Sequence, residues 1–76
     1  MEQLAKALGK RIRALRKAYG LSQDALALAS HIDRSYMGRI ERGEVNITVD
    51  KLYRIARVLG CDPASLLPPA TKIQVN

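Results

Sequence analysis

A compact all-α domain of five short helices is the fold this sequence predicts. Three observations predict it. Apolar residues recur at steps of three and four along most of the chain. Good helix N-caps (Ser22, Asp33, Thr48 and Asp62) stand before four of these stretches, and Gly20, Gly43 and Gly60 close three of them. No segment reads as a strand. With 76 residues the chain suits one domain with a modest core, and with no Phe or Trp that core must be aliphatic.

The first helix is expected over residues 2–19. Leu4, Leu8, Ile12, Leu15 and Tyr19 form one apolar stripe. Gly9 inside it costs roughly 1 kcal/mol relative to Ala, which signals close packing or a later helix start. Gly20 ends the segment in the left-handed conformation, and Leu21 can then pack back on the helix. Ser22 caps the second helix, and Asp24 suits its positive end. Its candidate buried residues are Leu26, Ala27 and Ala29, and it ends near Ser30. Ser30-His31-Ile32 is a turn. Asp33 caps the third helix, which runs to about Arg42 and stops at Gly43, with Met37 and Ile40 facing inward.

Residues 44–47 form a loop. Thr48 caps the fourth helix, whose inner face is Leu52, Ile55, Ala56 and Leu59, and Gly60 terminates it. Asp62-Pro63 is a cap followed by proline at the first helical position, so a fifth helix carrying Leu66 and Leu67 is expected. Pro68-Pro69 ends it. Residues 1–67 are thus read as the domain and 68–76 as a tail, either disordered or added to a dimer seam.

Thirteen Lys and Arg against seven Asp and Glu give a net charge of +6. The two readings of that excess are a polyanionic partner and ordinary solubility charge. Six of the basic residues lie in the first helix, where a solvated face is the simpler reading. One cysteine excludes an internal disulfide, and one histidine with it makes no zinc site, so Cys61 is read as a small buried side chain. No metal, cofactor or small-molecule ligand is expected. No apolar run is long enough to span a membrane and the N-terminus lacks a signal-peptide core, so a cytoplasmic protein is expected. Neither clustered carboxylates nor a nucleophile–base pair points to an enzyme.

Residues 22–43, SQDALALASHIDRSYMGRIERG, carry the functional signal. A short capped helix, a tight turn and a second capped helix with a polar row make a helix-turn-helix, whose second helix can lie in the DNA major groove. Ala27 is the small residue that lets the two helices approach. The outer row is Arg34, Ser35, Gly38, Arg39 and Arg42, with Tyr36 partly exposed. Arg34 and Arg39 can pair bidentately with guanine, Ser35 can reach a base edge or a phosphate, and Tyr36 can touch a thymine methyl. Gly38 leaves backbone bare for close approach. Gln23, at the start of the second helix, and Arg42, at the end of the third, suit phosphates. The alternative for Arg34 and Arg39 is a solvated charge and for Tyr36 a core-edge residue, but the surrounding pattern favours DNA contact for Arg34, Ser35, Tyr36 and Arg39.

The segment GLSQDALALASHIDRSYMGRIERG resembles the phage repressor and Cro-like, or xenobiotic-response-element type, helix-turn-helix family. The flanking LGKRIRALRKAYGLSQ and NITVDKLYRIARVLGCDPASLL extend the resemblance to about residues 8–67. IDRSYMGRIERG followed by NIT is most similar to controller proteins of restriction–modification systems. The resemblance implies a lambda-repressor-like DNA-binding domain that binds double-stranded operator DNA as a symmetric homodimer. It implies base contacts from Arg34, Ser35, Tyr36 and Arg39, and phosphate contacts from Gln23 and Arg42; Asn46, in the loop that follows, is a further expected phosphate contact. It also implies a structural salt bridge between Arg16 and Glu41, and a partly buried carboxylate beside Ile40 does need a partner.

The chain departs from that pattern in places. His31 stands where the family usually has Gly, in a turn position that favours positive φ. Val45 replaces a basic residue, and Arg39 stands where relatives carry a small one. Ile47, Val49, Leu66 and Leu67 are the expected dimer interface, with core packing under the fourth helix as the alternative. The expected function is a transcription regulator, repressor or activator–repressor. The alternatives are the antitoxin of a toxin–antitoxin pair and a protein-interaction adaptor of the same fold that reads no DNA.

Overall fold

The computed structural model describes residues 2–72, with side chains from Gln3 to Thr71. Four α-helices make up the body: α1 Glu2–Ala18, α2 Gln23–Ala29, α3 Arg34–Glu41 and α4 Val49–Leu59. No strand occurs among the described residues, and no helix among them is long and apolar enough to cross a membrane. In place of a fifth α-helix, Pro63–Leu66 form one 3₁₀ turn, and a second follows at Ala70–Lys72. Asp62 caps the first of these by accepting from Ala64 N at 3.0 Å. The helix goes no further because Pro68 forces Leu67 into an extended conformation, and two consecutive prolines lack N–H donors. Residues 73–76 of the tail lie outside the described residues.

The three α-helix caps act as the residue types require. Ser22 Oγ accepts from Ala25 N (3.0 Å), Asp33 Oδ2 from Tyr36 N (3.1 Å) and Thr48 Oγ1 from Lys51 N (3.2 Å). Every α-helix also ends in the same way. A left-handed residue follows the last turn (Gly20, His31, Gly43 and, as the C-cap itself, Gly60), and the next N–H reaches back to a carbonyl five residues earlier. Between α2 and α3 this left-handed residue is His31, with φ 56°. Ile32 N then bonds Ala27 O at 2.9 Å, and Arg54 Nη1 donates to His31 O at 2.9 Å. The turn geometry needs positive φ, and histidine is among the side chains that tolerate it.

The core joins Leu8 and Ile12 of α1, Leu26 and Ala27 of α2, Ile32 of the turn, Met37 and Ile40 of α3, the α4 face Leu52, Ile55, Ala56 and Leu59, and Leu66. Four expectations are corrected. Tyr19 falls one residue past α1 and is 57% exposed. Ala29 is exposed, while Ser30 beside it is buried. Leu67 stays 43% exposed because the 3₁₀ turn rotates it away from Leu66. Cys61 is only half-buried.

α1 lies directly on the C-terminal end of α3. A Cβ built on Gly9 would fall 2.5 Å from Ile40 O and 2.6 Å from Glu41 O, so Gly9 marks close packing rather than a late helix start. Gly43, with φ 73°, lies against the backbone of Lys6 in the same seam. This contact fixes where α3 points.

Candidate nucleic-acid interface

α3 divides along its length. Met37, Ile40 and Glu41 are buried, while Arg34, Ser35, Arg39 and Arg42 are exposed. The exposed residues fall at positions i, i+1, i+5 and i+8, a single arc of a 3.6-residue helix. An α-helix with its side chains is about 10–12 Å across, close to the roughly 12 Å width of the DNA major groove. Tyr36 sits at the edge of the arc, half-buried, with the Lys51 ammonium 5.4 Å above its ring. Gly38 lies in the arc but is buried, not bare: a Cβ there would meet Arg42 Nη1 at 3.1 Å and Gln23 Oε1 at 3.4 Å. Both neighbours are the ends of flexible side chains, so the covering of Gly38 is by Arg42 and Gln23 rather than by backbone.

Behind the arc, a buried polar network ties three helices together. Arg16 Nε donates to Glu41 Oε2 at 2.7 Å, and Arg16 Nη2 to Glu41 Oε1 at 3.0 Å. Arg16 Nη1 reaches Leu21 O at 2.8 Å, closing the chain end of α1 onto the same group. Gln23 Nε2 donates to Glu41 Oε1 at 3.1 Å. The side chains of Arg16 and Glu41 are 10% and 3% exposed, so this bidentate pair works in a largely dry site. Gln23, expected on a phosphate, therefore has one amide hydrogen committed to Glu41.

The arginines of the arc each meet a carboxylate. Arg34 Nη1 lies 3.4 Å from Asp24 Oδ2. Glu44 takes two: Arg42 Nε donates to Oε2 at 2.7 Å, Arg42 Nη2 to Oε1 at 3.3 Å, and Arg39 Nε lies 3.8 Å from Oε1. The hydrogen bond from Arg42 holds the Glu44 carboxyl below its ordinary range, and the same bond raises the Arg42 guanidinium. Sequence reasoning missed Glu44. The signal was Gly43: a left-handed residue there folds residue 44 back over the last turn of α3, and Glu44 N duly donates to Arg39 O at 2.9 Å.

Asn46 is exposed and lines an open recess of about 680 Å³ with Lys6, Arg42 and Glu44. The residues expected at a dimer interface do not all share one surface. Leu66 is fully buried in the core, so it has no area to offer a second chain. Ile47, half-buried, Val49, 71% exposed, and Leu67 line an apolar groove of about 420 Å³ together with Leu4, Leu8 and Leu52.

Comparison with known proteins agrees with this geometry. The Helix-turn-helix family model matches residues 12–66, from the second half of α1 to the 3₁₀ turn. Control protein C.BamHI of Bacillus amyloliquefaciens is 35% identical over 60 residues, 78% of this chain and 74% of that protein. Control protein C.SmaI of Serratia marcescens is 37% identical over 60 residues, 79% of this chain and 71% of its own. The crystal structure of the restriction-modification controller protein C.AhdI from Aeromonas hydrophila superposes with a TM-score of 0.81 at 41% identity, covering 83% of this chain and 96% of that one. The family match over residues 12–66 spans all of α2, α3 and the turn between them. The chain therefore belongs to the Cro/C1-type helix-turn-helix family of DNA-binding transcription regulators.

Proposed function

We propose that this protein binds a palindromic operator as a homodimer and acts as a restriction–modification controller, with α3 of each protomer in the major groove. The observation that carries the reading is the outer arc of α3: Arg34, Ser35 and Arg39 exposed on one side of a helix held from behind by Arg16, Glu41 and Gln23. Arg34 and Arg39 present guanidinium forks that match guanine O6 and N7. Ser35 and Tyr36 complete the base-facing row. Arg42, Asn46 and the remaining amide hydrogen of Gln23 suit phosphates along the groove edge.

A single arc of this length spans only a few base pairs. Two protomers would place their helices about 34 Å apart, one turn of DNA, and double the sequence read. The apolar groove beside Ile47, Val49 and Leu67 is the surface that favours such pairing. The outward face of α3 bears arginine and serine rather than large apolar side chains, which favours DNA over a protein-adaptor role. The similarity to C.BamHI, C.SmaI and C.AhdI favours a controller over an antitoxin.

Two substitutions separate reading from holding. Arg34→Ala is expected to flatten base preference at one position per half-site, with a loss of discrimination of about 1–3 kcal/mol there. Arg42→Ala is expected to weaken binding to all sequences alike and to reduce the salt slope by about one. Binding-site selection and salt titration with each variant check both. An Arg34→Ala base profile identical to that of the parent would contradict the assignment.

A further inference from the structure

We propose that Glu44 is a specificity-determining residue, a carboxylate placed on the DNA-facing side to suppress binding to random sequence. This rests on the reading of Arg39 and Arg42 as DNA contacts. The position of Glu44 is set by the main chain. Gly43 is left-handed, and Glu44 N donates to Arg39 O at 2.9 Å, so the side chain must emerge over the last turn of α3. There it binds the Nε and Nη2 edge of Arg42 at 2.7 and 3.3 Å and draws Arg39 to 3.8 Å. An acid is an unfavourable neighbour for a phosphate backbone, and the same turn would form with a neutral residue at position 44.

The chemistry of the two binding modes explains what an acid does there. Contact with random DNA is almost entirely electrostatic and is made to whatever phosphates are near. Glu44 removes one unit of positive charge from that interaction. It also occupies the side edge of Arg42, the edge that would otherwise take a phosphate with two parallel bonds. What Glu44 leaves open is the Nη1 end, on the side of Gly38, so a phosphate reaching Arg42 has fewer approaches. On the correct operator, hydrogen bonds to base edges add to the binding, and the phosphate register matches that restricted geometry. The carboxylate therefore weakens random binding more than operator binding. Asp24, 3.4 Å from Arg34 at the other end of α3, stands in the same relation to a base-reading arginine.

Glu44→Gln tests this. Glu44 is exposed, so the variant should fold, and an unchanged thermal melt verifies it. Affinity is measured across a salt series for two duplexes of equal length: one recovered by selection from a random pool, and a scrambled version of it. Affinity for the scrambled duplex is expected to rise about fivefold, the order expected of one exposed ion pair. Its salt slope should steepen by about one counterion. Operator affinity should rise less, so the ratio of the two falls. Unchanged or weaker binding to the scrambled duplex, or equal tightening on both duplexes, would overturn the proposal. If the parent protein itself failed to prefer the selected duplex, the underlying DNA-reading assignment would be the one that fails.

Discussion

Arg16→Ala is expected to destabilise the fold by about 3–5 kcal/mol, the range for breaking a buried ion pair by removing one partner. The size follows from what is left behind. Glu41, 3% exposed at its side chain, would keep only the single hydrogen bond from Gln23. The carbonyl of Leu21 would also lose its donor. A domain of this size has a total stability of roughly 5–15 kcal/mol, so this one change removes a large share. The melting temperature should fall by roughly 15 °C or more. Thermal and urea unfolding check the value. Replacing both partners, Arg16→Met with Glu41→Leu, should recover much of the loss, since no charge is then stranded. An unchanged melting temperature in Arg16→Ala would show that the pair does not hold α1 to α3.

Gly9→Ala should damage the fold although the change is a conservative one. On helix propensity alone it would stabilise α1 by about 1 kcal/mol. The added Cβ would instead sit 2.5 Å from Ile40 O and 2.6 Å from Glu41 O. These are backbone atoms, so no side-chain rotation relieves the clash. α1 and α3 must separate, which also stretches the Arg16–Glu41 bonds running beside them. Overpacking of this kind typically costs 1–3 kcal/mol or more, and here it should exceed the propensity gain to leave a net loss of about 2 kcal/mol. A stabilised Gly9→Ala variant would mean that the two helices lie further apart than described.

These two sites show what the sequence could and could not convey. The helix starts were legible because capping is local: Ser22, Asp33 and Thr48 each bond an amide three residues ahead. The left-handed turn at His31 was legible through the resemblance, since the family usually has Gly there. The Arg16–Glu41 contact came from resemblance, since residues 25 apart in sequence carry no local signature of meeting. Leu66 and Leu67 look alike as neighbouring leucines. Only the rotation of one 3₁₀ turn sends the first into the core and leaves the second out. Gly38 and Gln23 were misread in part because each depends on the other across two helices.

The exposed row of α3 was readable from helical periodicity, because exposure at Arg34, Ser35, Arg39 and Arg42 follows once Met37 and Ile40 are inside. What periodicity does not reveal is pairing between neighbours on that row. Glu44 is two residues from Arg42 in sequence, yet it becomes a partner only through the left-handed turn at Gly43.

Selection of bound duplexes from a random DNA pool, read out by sequencing, tests the central claim most directly. A symmetric reading by two copies of α3 predicts enrichment of a palindrome whose half-sites are centred about one helical turn, roughly 10 base pairs, apart. Recovery of no enriched sequence, or of a single unrepeated half-site, would contradict it.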